Sequence, residues 1–377
     1  MTEQTDVVVI GGGVVGTAAA FHLADAGVET VLVDDGREGS ATAAGAGIIS
    51  PPTSSRREND DWFAFATAAA DHYPALIRQL EAQGVEDHSY RRGEMLSVAL
   101  RPEEAPVLET DRERAAARGA EFEEISPEEA ERAFPALSGV ERALRFPGAA
   151  RVDGSMLTAG IQSAARQAGL TTIDGRVTSI RTAGDAVSGV VVDAADGRER
   201  IDADRVVVAG GAWSSSFGED LDCSLPVSPT RGQIVHLDAS DVFDDAEDLP
   251  IVGSVADNYI VPWGDGRIVV GATREDDAGF DPRLTAGGVH EVLGAGLRLA
   301  PGLVDATLAE IRVGLRPASP DGLPILGPVP NVDGAYVATG HGPTGLTLGP
   351  FSGAVIAGLV EGQEPDVDLS AFDPGRF

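Results

Sequence analysis

The sequence predicts an α/β fold, a doubly wound domain on a parallel sheet with a β-rich domain inserted into it. Three observations carry this expectation. The chain opens with a buried-type strand, a glycine-rich turn and a helix. A second short apolar strand follows at βαβ spacing, and the strand–turn–helix order returns near the C-terminus after a long β-rich stretch.

In chain order, residues 6–10 are an apolar, β-branched run of the kind covered on both faces. Gly11-Gly12-Gly13-Val14-Val15-Gly16 follows at once, then a helical pattern to Ala26 with Gly27 as its stop signal. Residues 30–33 form the second strand, which ends in Asp34 and Asp35. The Pro-, Ser- and charge-rich residues 50–59 read as an exit from this first unit. Residues 101–131 carry an acidic, Arg-rich helical pattern broken at Pro102, Pro106 and Pro127, which reads as a solvated helical face. A helix over 155–167 precedes a strand over 170–180, and residues 206–209 are another buried strand, ending in Gly210-Gly211. Between Pro226 and Val313 the texture turns to β-rich runs, among them 233–237, 259–262 and 268–270. Residues 335–340, followed by a helix reaching about Val360, rejoin the opening fold.

Composition removes whole classes of chemistry. Sixty acidic residues against 28 basic ones give a formal charge of −32, and all 28 basic residues are Arg. Without Lys the chain cannot form a Schiff base with pyridoxal phosphate or supply the P-loop lysine of a nucleotide-binding site. The single Cys223 excludes an internal disulfide and a CxxC pair, and six scattered His residues show no metal-ligand spacing. The negative field repels nucleic acid and anionic membrane surfaces. In about 1 M salt the Debye length shrinks to roughly 3 Å and such self-repulsion is screened. Acidic excess together with missing Lys therefore indicates a salt-rich cytoplasm, that of an extreme halophile. The apolar start, residues 7–23, is broken by Gly11, Gly12, Gly13 and Gly16, and Glu3 and Asp6 stand where an export signal would be basic. A cytoplasmic protein without an integral membrane segment is expected.

The first turn carries a mechanism. Gly11 allows a tight turn, Gly13 lets backbone N–H groups approach a pyrophosphate at the helix N-terminus, and Gly16 lets helix and strand pack closely. Asp34, 18 residues beyond Gly16, stands where a carboxylate accepts hydrogen bonds from ribose hydroxyls and repels a 2′-phosphate. The fingerprint alone does not separate NAD from FAD.

The chain resembles the D-amino-acid oxidase family of flavoproteins along nearly its whole length, in particular its glycine oxidase and D-amino-acid dehydrogenase branch. The matching segments are 9–16, 46–48, 206–213, 259–262, 269–273, Gly314-Leu-Arg-Pro317, 321–327 and 338–341. The resemblance implies a Rossmann-like FAD-binding domain of the glutathione-reductase type formed by residues 1–50, 150–217 and 318–377. Residues 51–149 and 218–317 would then form the substrate-binding domain. FAD would be non-covalent, since Cys223 lies away from the flavin-facing turns. Val14 and Val15 would line the pyrophosphate turn, and Asp34 and Asp35 would meet the adenosine ribose. Ala41 and Thr42 would lie near the phosphates, Ala46, Gly47 and Ile48 beside the isoalloxazine, and Val177 would hold adenine by its main chain. Gly210 belongs to the matching turn after residues 206–209. In the C-terminal turn, Gly340, His341, Gly342, Thr344, Gly345, Leu346 and Thr347 would bring a helix N-terminus to the flavin pyrimidine edge. There it would stabilise the negative charge that develops on reduction.

By the same resemblance Arg316 holds the carboxylate of an amino-acid substrate, for which its planar fork is suited, and Tyr259 hydrogen-bonds it. The sequence departs from glycine oxidase at Pro343, where that family carries a second carboxylate-binding Arg. Arg274 is the expected replacement, against a plain ion pair with Glu275 or Asp276. Sarcosine-oxidase relatives use a Lys to promote O₂ reduction; here there is none, so either O₂ or a separate electron acceptor takes the electrons. The implied activity is oxidation of a small amino acid or secondary amine (a D-amino acid, glycine, sarcosine or a proline-like compound) to the imine and 2-oxo acid, by hydride transfer to flavin N5. Two other readings stand beside it: a 2-hydroxy-acid dehydrogenase with His341 as base, and a flavin-carrying subunit of a larger complex. The sequence leaves open whether the chain forms a homo-oligomer.

Overall fold

The computed structural model describes all residues except Met1, Thr2, Ser55, Arg57 and Asp257. Two sheets organise it. The first begins with β1 (Glu3–Ile10), whose Val7, Val8 and Val9 are wholly buried. Such a continuous apolar run is what a parallel strand covered on both faces requires. It is followed by α1 (Val14–Asp25) and β2 (Thr30–Asp34), and β1 pairs in parallel with β2, Val9 opposite Leu32.

The chain then leaves for the second sheet through β3 (Ile48–Ile49), α2 (Asp60–Ala82), β4 (Arg91–Ala99), α3 (Ala105–Ala117), β5 (Glu123–Ile125), α4 (Pro127–Ala133) and β6 (Arg142–Arg151). It returns through α5 (Gly154–Gln167), β7 (Thr171–Ala183), β8 (Ala186–Ala194) and β9 (Gly197–Val208). The start of β7 lies parallel to β2, whereas its second half turns into an antiparallel meander with β8 and the start of β9. The end of β9 then pairs in parallel with β1, Val207 opposite Val9.

A second excursion comprises β10 (Ser228–Asp238), β11 (Ile251–Ser254), β12 (Tyr259–Pro262), β13 (Arg267–Gly271), α6 (Ala286–Leu299) and β14 (Thr307–Ala318). These strands complete the second sheet in the order β14-β10-β13-β12-β11-β4-β6-β3, with β5 on β6. Finally β15 (Ile325–Pro328), β16 (Ala335–Thr339) and α7 (Gly345–Val360) close the first sheet, β16 parallel to β9 and β15 antiparallel to β16.

Several elements differ from the sequence expectation. Nothing was anticipated between residues 60 and 100, where α2 and β4 lie. α2 is capped by Asn59, whose side chain accepts from Trp62 N, and it buries Trp62, Phe65, Tyr73, Leu76 and Leu80. The pattern is helical, but Pro74 sits inside it. The acidic stretch over 101–131 forms α3 and α4, which bury only Leu108, Ala115 and Ala130. The stretch Gly342–Val360, mainly α7, is apolar and long enough to cross a bilayer by composition; here it is mostly buried, packed against α1 and α2.

Candidate active site

A cleft of about 1450 Å³ runs from the turn between β1 and α1 to the ends of β12, β13 and β14. Its lining includes every residue expected above to bind cofactor or substrate except Gly16 and Gly340. Those two stand behind it. A Cβ on Gly16 would lie 2.0 Å from the Gly11 carbonyl oxygen, so its lack of a side chain serves helix–strand contact. Gly340 sits at φ +73° and bends the end of β16 against Ile325 and Ser319.

At the first turn, the Asp34 carboxylate accepts from Gly12 N at 2.6 Å and from Gly36 N at 2.9 Å, which ties the turn to the end of β2. Thr42 Oγ1 accepts from Val14 N at 3.1 Å. The first turn of α1 holds no acidic side chain, so its positive end stays available to an anion. Asp35 is engaged elsewhere: Arg37 Nε and Arg176 Nε donate to it at 2.6 and 2.8 Å. Burial would raise its pKa, but these two guanidinia outweigh that and hold it below the usual range. Arg37 in turn lies over the Trp213 ring, 5.2 Å from its centroid, at the cleft rim.

The middle of the cleft is made where the two sheets meet. Gly47 O accepts from Val152 N at 2.9 Å, and Thr347 Oγ1 donates to Ile48 O at 3.0 Å, which locks the start of α7 to β3. Tyr73 of α2 donates to the Leu346 carbonyl from below. His341 is 3% exposed, and its Nε2 is 2.9 Å from Ser352 Oγ within α7. Burial pushes its imidazole down to about 4. The ring lines the cleft with its Nε2 engaged by Ser352.

These features fit FAD. A helix N-terminus without an acidic side chain in its first turn, a carboxylate ending β2, and a cleft continuous to the start of α7 match an adenosine diphosphate at one end and a flavin at the other.

At the far end Arg316 of β14 is half-buried and donates from Nη1 to Thr273 O at 2.9 Å. Its guanidinium lies over Gly232 of β10; a Cβ there would stand 2.3 Å from Nη2. Among the described residues Arg316 forms no ion pair, in a chain with 60 acidic residues. The ring of Tyr259 lies over its cross-strand neighbour Gly271, where a Cβ would come within 2.3 Å of the phenol oxygen.

Among the described residues the alternative for Arg274, an ion pair with Glu275 or Asp276, is not found, and both acids are engaged elsewhere. Glu275 Oε2 accepts from Arg231 Nη2 at 2.6 Å, and Oε1 accepts from Gln233 Nε2 at 2.7 Å and Thr273 Oγ1 at 2.8 Å. Asp276 accepts from Thr230 Oγ1 at 2.8 Å. Glu275 is thus a hub clamping the segment that carries Thr273 and Arg274 onto β10, and the sequence reading missed its role. It also missed Arg56, which lies in the stretch read as an exit. Arg56 donates to the Gly322 carbonyl and rests against Gly342, where a Cβ would meet its Nη2 at 2.9 Å. Burial, then the neighbouring Arg274 charge, lowers its pKa.

Comparison with known proteins agrees with this architecture. The model of the family described as FAD dependent oxidoreductase (DAO) matches residues 6–359. The chain is 41% identical to the oxidoreductase YurR of Bacillus subtilis (strain 168), over 97% of this chain and 98% of that one. It is 34% identical to the glycine oxidase of Pseudomonas aeruginosa, with both chains covered in full. The crystal structure of iminodiacetate oxidase (IdaA) from Chelativorans sp. BNC1 superposes with a TM-score of 0.91 at 38% identity, covering 98% of each chain. The chain belongs to the DAO family of FAD-dependent oxidoreductases, and its cofactor is FAD.

Proposed function

We propose that this enzyme oxidises a small amino acid or secondary amine, held by its carboxylate on Arg316, to the imine and then the 2-oxo acid. The observation that carries the reading is the Arg316 guanidinium: it lines the cleft, is placed by Gly232 and Thr273, and has no acidic partner among the described residues. A planar fork in that state suits a carboxylate, which it binds through two charge-assisted hydrogen bonds. Tyr259 adds a phenol donor to the same group, and Arg274 adds positive charge beside it.

Held non-covalently by the β1–α1 turn, Asp34 and the start of α7, FAD would supply the two-electron acceptor for the Cα hydrogen and its electron pair. The substrate's nitrogen lone pair becomes the second C–N bond as that hydrogen leaves. Water then adds to the imine carbon and the C–N bond breaks, releasing the oxo acid and ammonia or an amine. A neutral substrate amine needs no side-chain base, in keeping with His341 being tied to Ser352. The electrons pass on to O₂ or to a separate acceptor. Residues 1–50, 150–217 and 318–377 serve the cofactor and the remainder serves the substrate. The charge of −32 suits a salt-rich cytoplasm.

The names of two relatives, glycine oxidase and iminodiacetate oxidase, support an amine bearing a carboxylate as the substrate class. Anaerobic mixing with glycine, sarcosine, D-alanine, L-proline, iminodiacetate and 2-hydroxyglutarate tests the reading. One or more of the amines should bleach the flavin. Bleaching by 2-hydroxyglutarate alone would overturn it.

A further inference from the structure

The direction in which Tyr259 points is not settled by its own strand. Both of its cross-strand neighbours on the cleft face of the second sheet are glycine, Gly253 of β11 on one side and Gly271 of β13 on the other. Strand side chains use more than one χ1 well, and an aromatic ring readily covers a bare cross-strand neighbour, so two seats are on offer. The ring takes the seat over Gly271, where a Cβ would collide with the phenol.

The other seat is filled. Met95 of β4 stands opposite Ile251, and its side chain leans diagonally across the sheet until Cε lies 2.6 Å from where a Gly253 Cβ would be. Met95 is buried in the apolar cluster against which Tyr259 packs, and Thr53 Oγ1 donates to its Sδ at 3.1 Å. Thr53 and Met95 both line the cleft.

The two seats differ in what they place the phenol beside. β13, which carries Gly271, borders β10, where the Arg316 guanidinium lies over Gly232. β11, which carries Gly253, is two strands further from β10, about 10 Å at ordinary strand spacing.

We propose that Met95 is the positioning residue for Tyr259: by occupying the seat over Gly253 it holds the ring on Gly271 and keeps the phenol on the Arg316 side, at the substrate carboxylate. This rests on the reading of Arg316 and Tyr259 as the carboxylate site and deepens it.

(Methylthio)acetate carries the carboxylate of a small amine substrate but no nitrogen to oxidise. Its titration against the flavin spectrum of the FAD-loaded enzyme therefore reads the carboxylate site apart from turnover. Tyr259→Phe should weaken its binding by about tenfold, the worth of one hydrogen bond to a charged group. Met95→Ala should weaken it by a similar factor, and so should Met95→Val, which keeps bulk on β4 but lacks the atom over Gly253. In the Tyr259→Phe background Met95→Ala should change binding by less than about twofold, because no phenol is left to aim. Gly253 lies outside the left-handed region, and a Cβ there has as its next neighbour Leu96 O at 3.9 Å. Adding Gly253→Ala to Met95→Ala thus returns a methyl to the seat and should restore binding to within about threefold of wild type.

Near wild-type binding in both Met95 variants, or an equal loss with and without the phenol, would overturn the positioning role. If Tyr259→Phe itself changes nothing, the proposal falls together with the reading of Tyr259 as a carboxylate donor. If every variant binds as expected while no amine bleaches the flavin, the role of Met95 stands and amine oxidation fails.

Discussion

Replacing Gly232 by Ala tests the placement of Arg316 without touching its charge. An added Cβ would stand 2.3 Å from Nη2 and 2.4 Å from both Cζ and Nη1, whereas ordinary contact begins at 3.4 Å. The guanidinium must therefore withdraw by about 1 Å, a displacement that costs on the order of 10²-fold when it misplaces a reacting group. Gly232 lies within β10 outside the left-handed region, so the backbone accepts Ala and the perturbation falls on Arg316. The expected result is a fall of about 10²-fold in kcat/KM on the best substrate, about 2.7 kcal/mol of transition-state stabilisation. FAD content should be normal. The assay is steady-state turnover in molar salt, with bound flavin quantified by its absorbance. A kcat/KM within about twofold of wild type, with the protein folded and yellow, would refute the placement of Arg316 as substrate anchor.

The remaining predictions concern the frame around the site. Glu275→Gln leaves Arg231, whose side chain is only 8% exposed, without its close carboxylate; because Glu275 is itself 27% exposed, the cost should be about 3 kcal/mol, the low end for a broken buried pair. Melting and turnover should both suffer, and an unchanged Tm would remove Glu275 as the hub. Burial holds His22, His236 and His341 at about 4, below the ordinary 6.5. Between those values the unfolded chain binds more protons than the folded one, so stability should be level above pH 6.5 and fall as pH drops toward 4. A Tm that does not decline over that window would contradict the burial of these rings. Screening of the −32 charge should raise Tm steeply from dilute buffer to molar KCl, and a flat curve would leave the salt-adapted reading without support.

The opening of the fold was legible because local sequence determines it. The apolar run of β1, the glycines of its turn and the acid ending β2 are contiguous signals, and Asp34 binds the turn it was expected to border. The meander of β7, β8 and β9 was less visible. Its strands leave the parallel sheet partway along their length, so the expected strand ended at Ile180 where the real one continues to Ala183 and pairs with β8. α2 shows three- and four-residue spacing from Trp62 to Leu80, interrupted to the eye by Pro74. At the site, Arg316 and Tyr259 were found through motif resemblance, whereas Arg56 and Glu275 carry no local signal. Arg56 reaches its carbonyl partner across 266 residues of chain, and Glu275 gains its role from strand register with Arg231 and Gln233. Such roles come from topology rather than from neighbours in sequence.

The central claim is that Arg316 binds the substrate carboxylate through a two-bond fork. The measurement that tests it most directly is anaerobic flavin reduction by wild type, Arg316→Lys and Arg316→Ala, using the best carboxylate-bearing amine and a carboxyl-free amine of the same shape. The account predicts a loss of about 2–5 kcal/mol in kcat/KM for Arg316→Ala on the carboxylate substrate and a smaller loss for Arg316→Lys, which keeps the charge but not the fork. FAD content should be normal in both, and the carboxyl-free amine should be a poor substrate that is nearly indifferent to the change. Wild-type kcat/KM in Arg316→Ala would contradict the account.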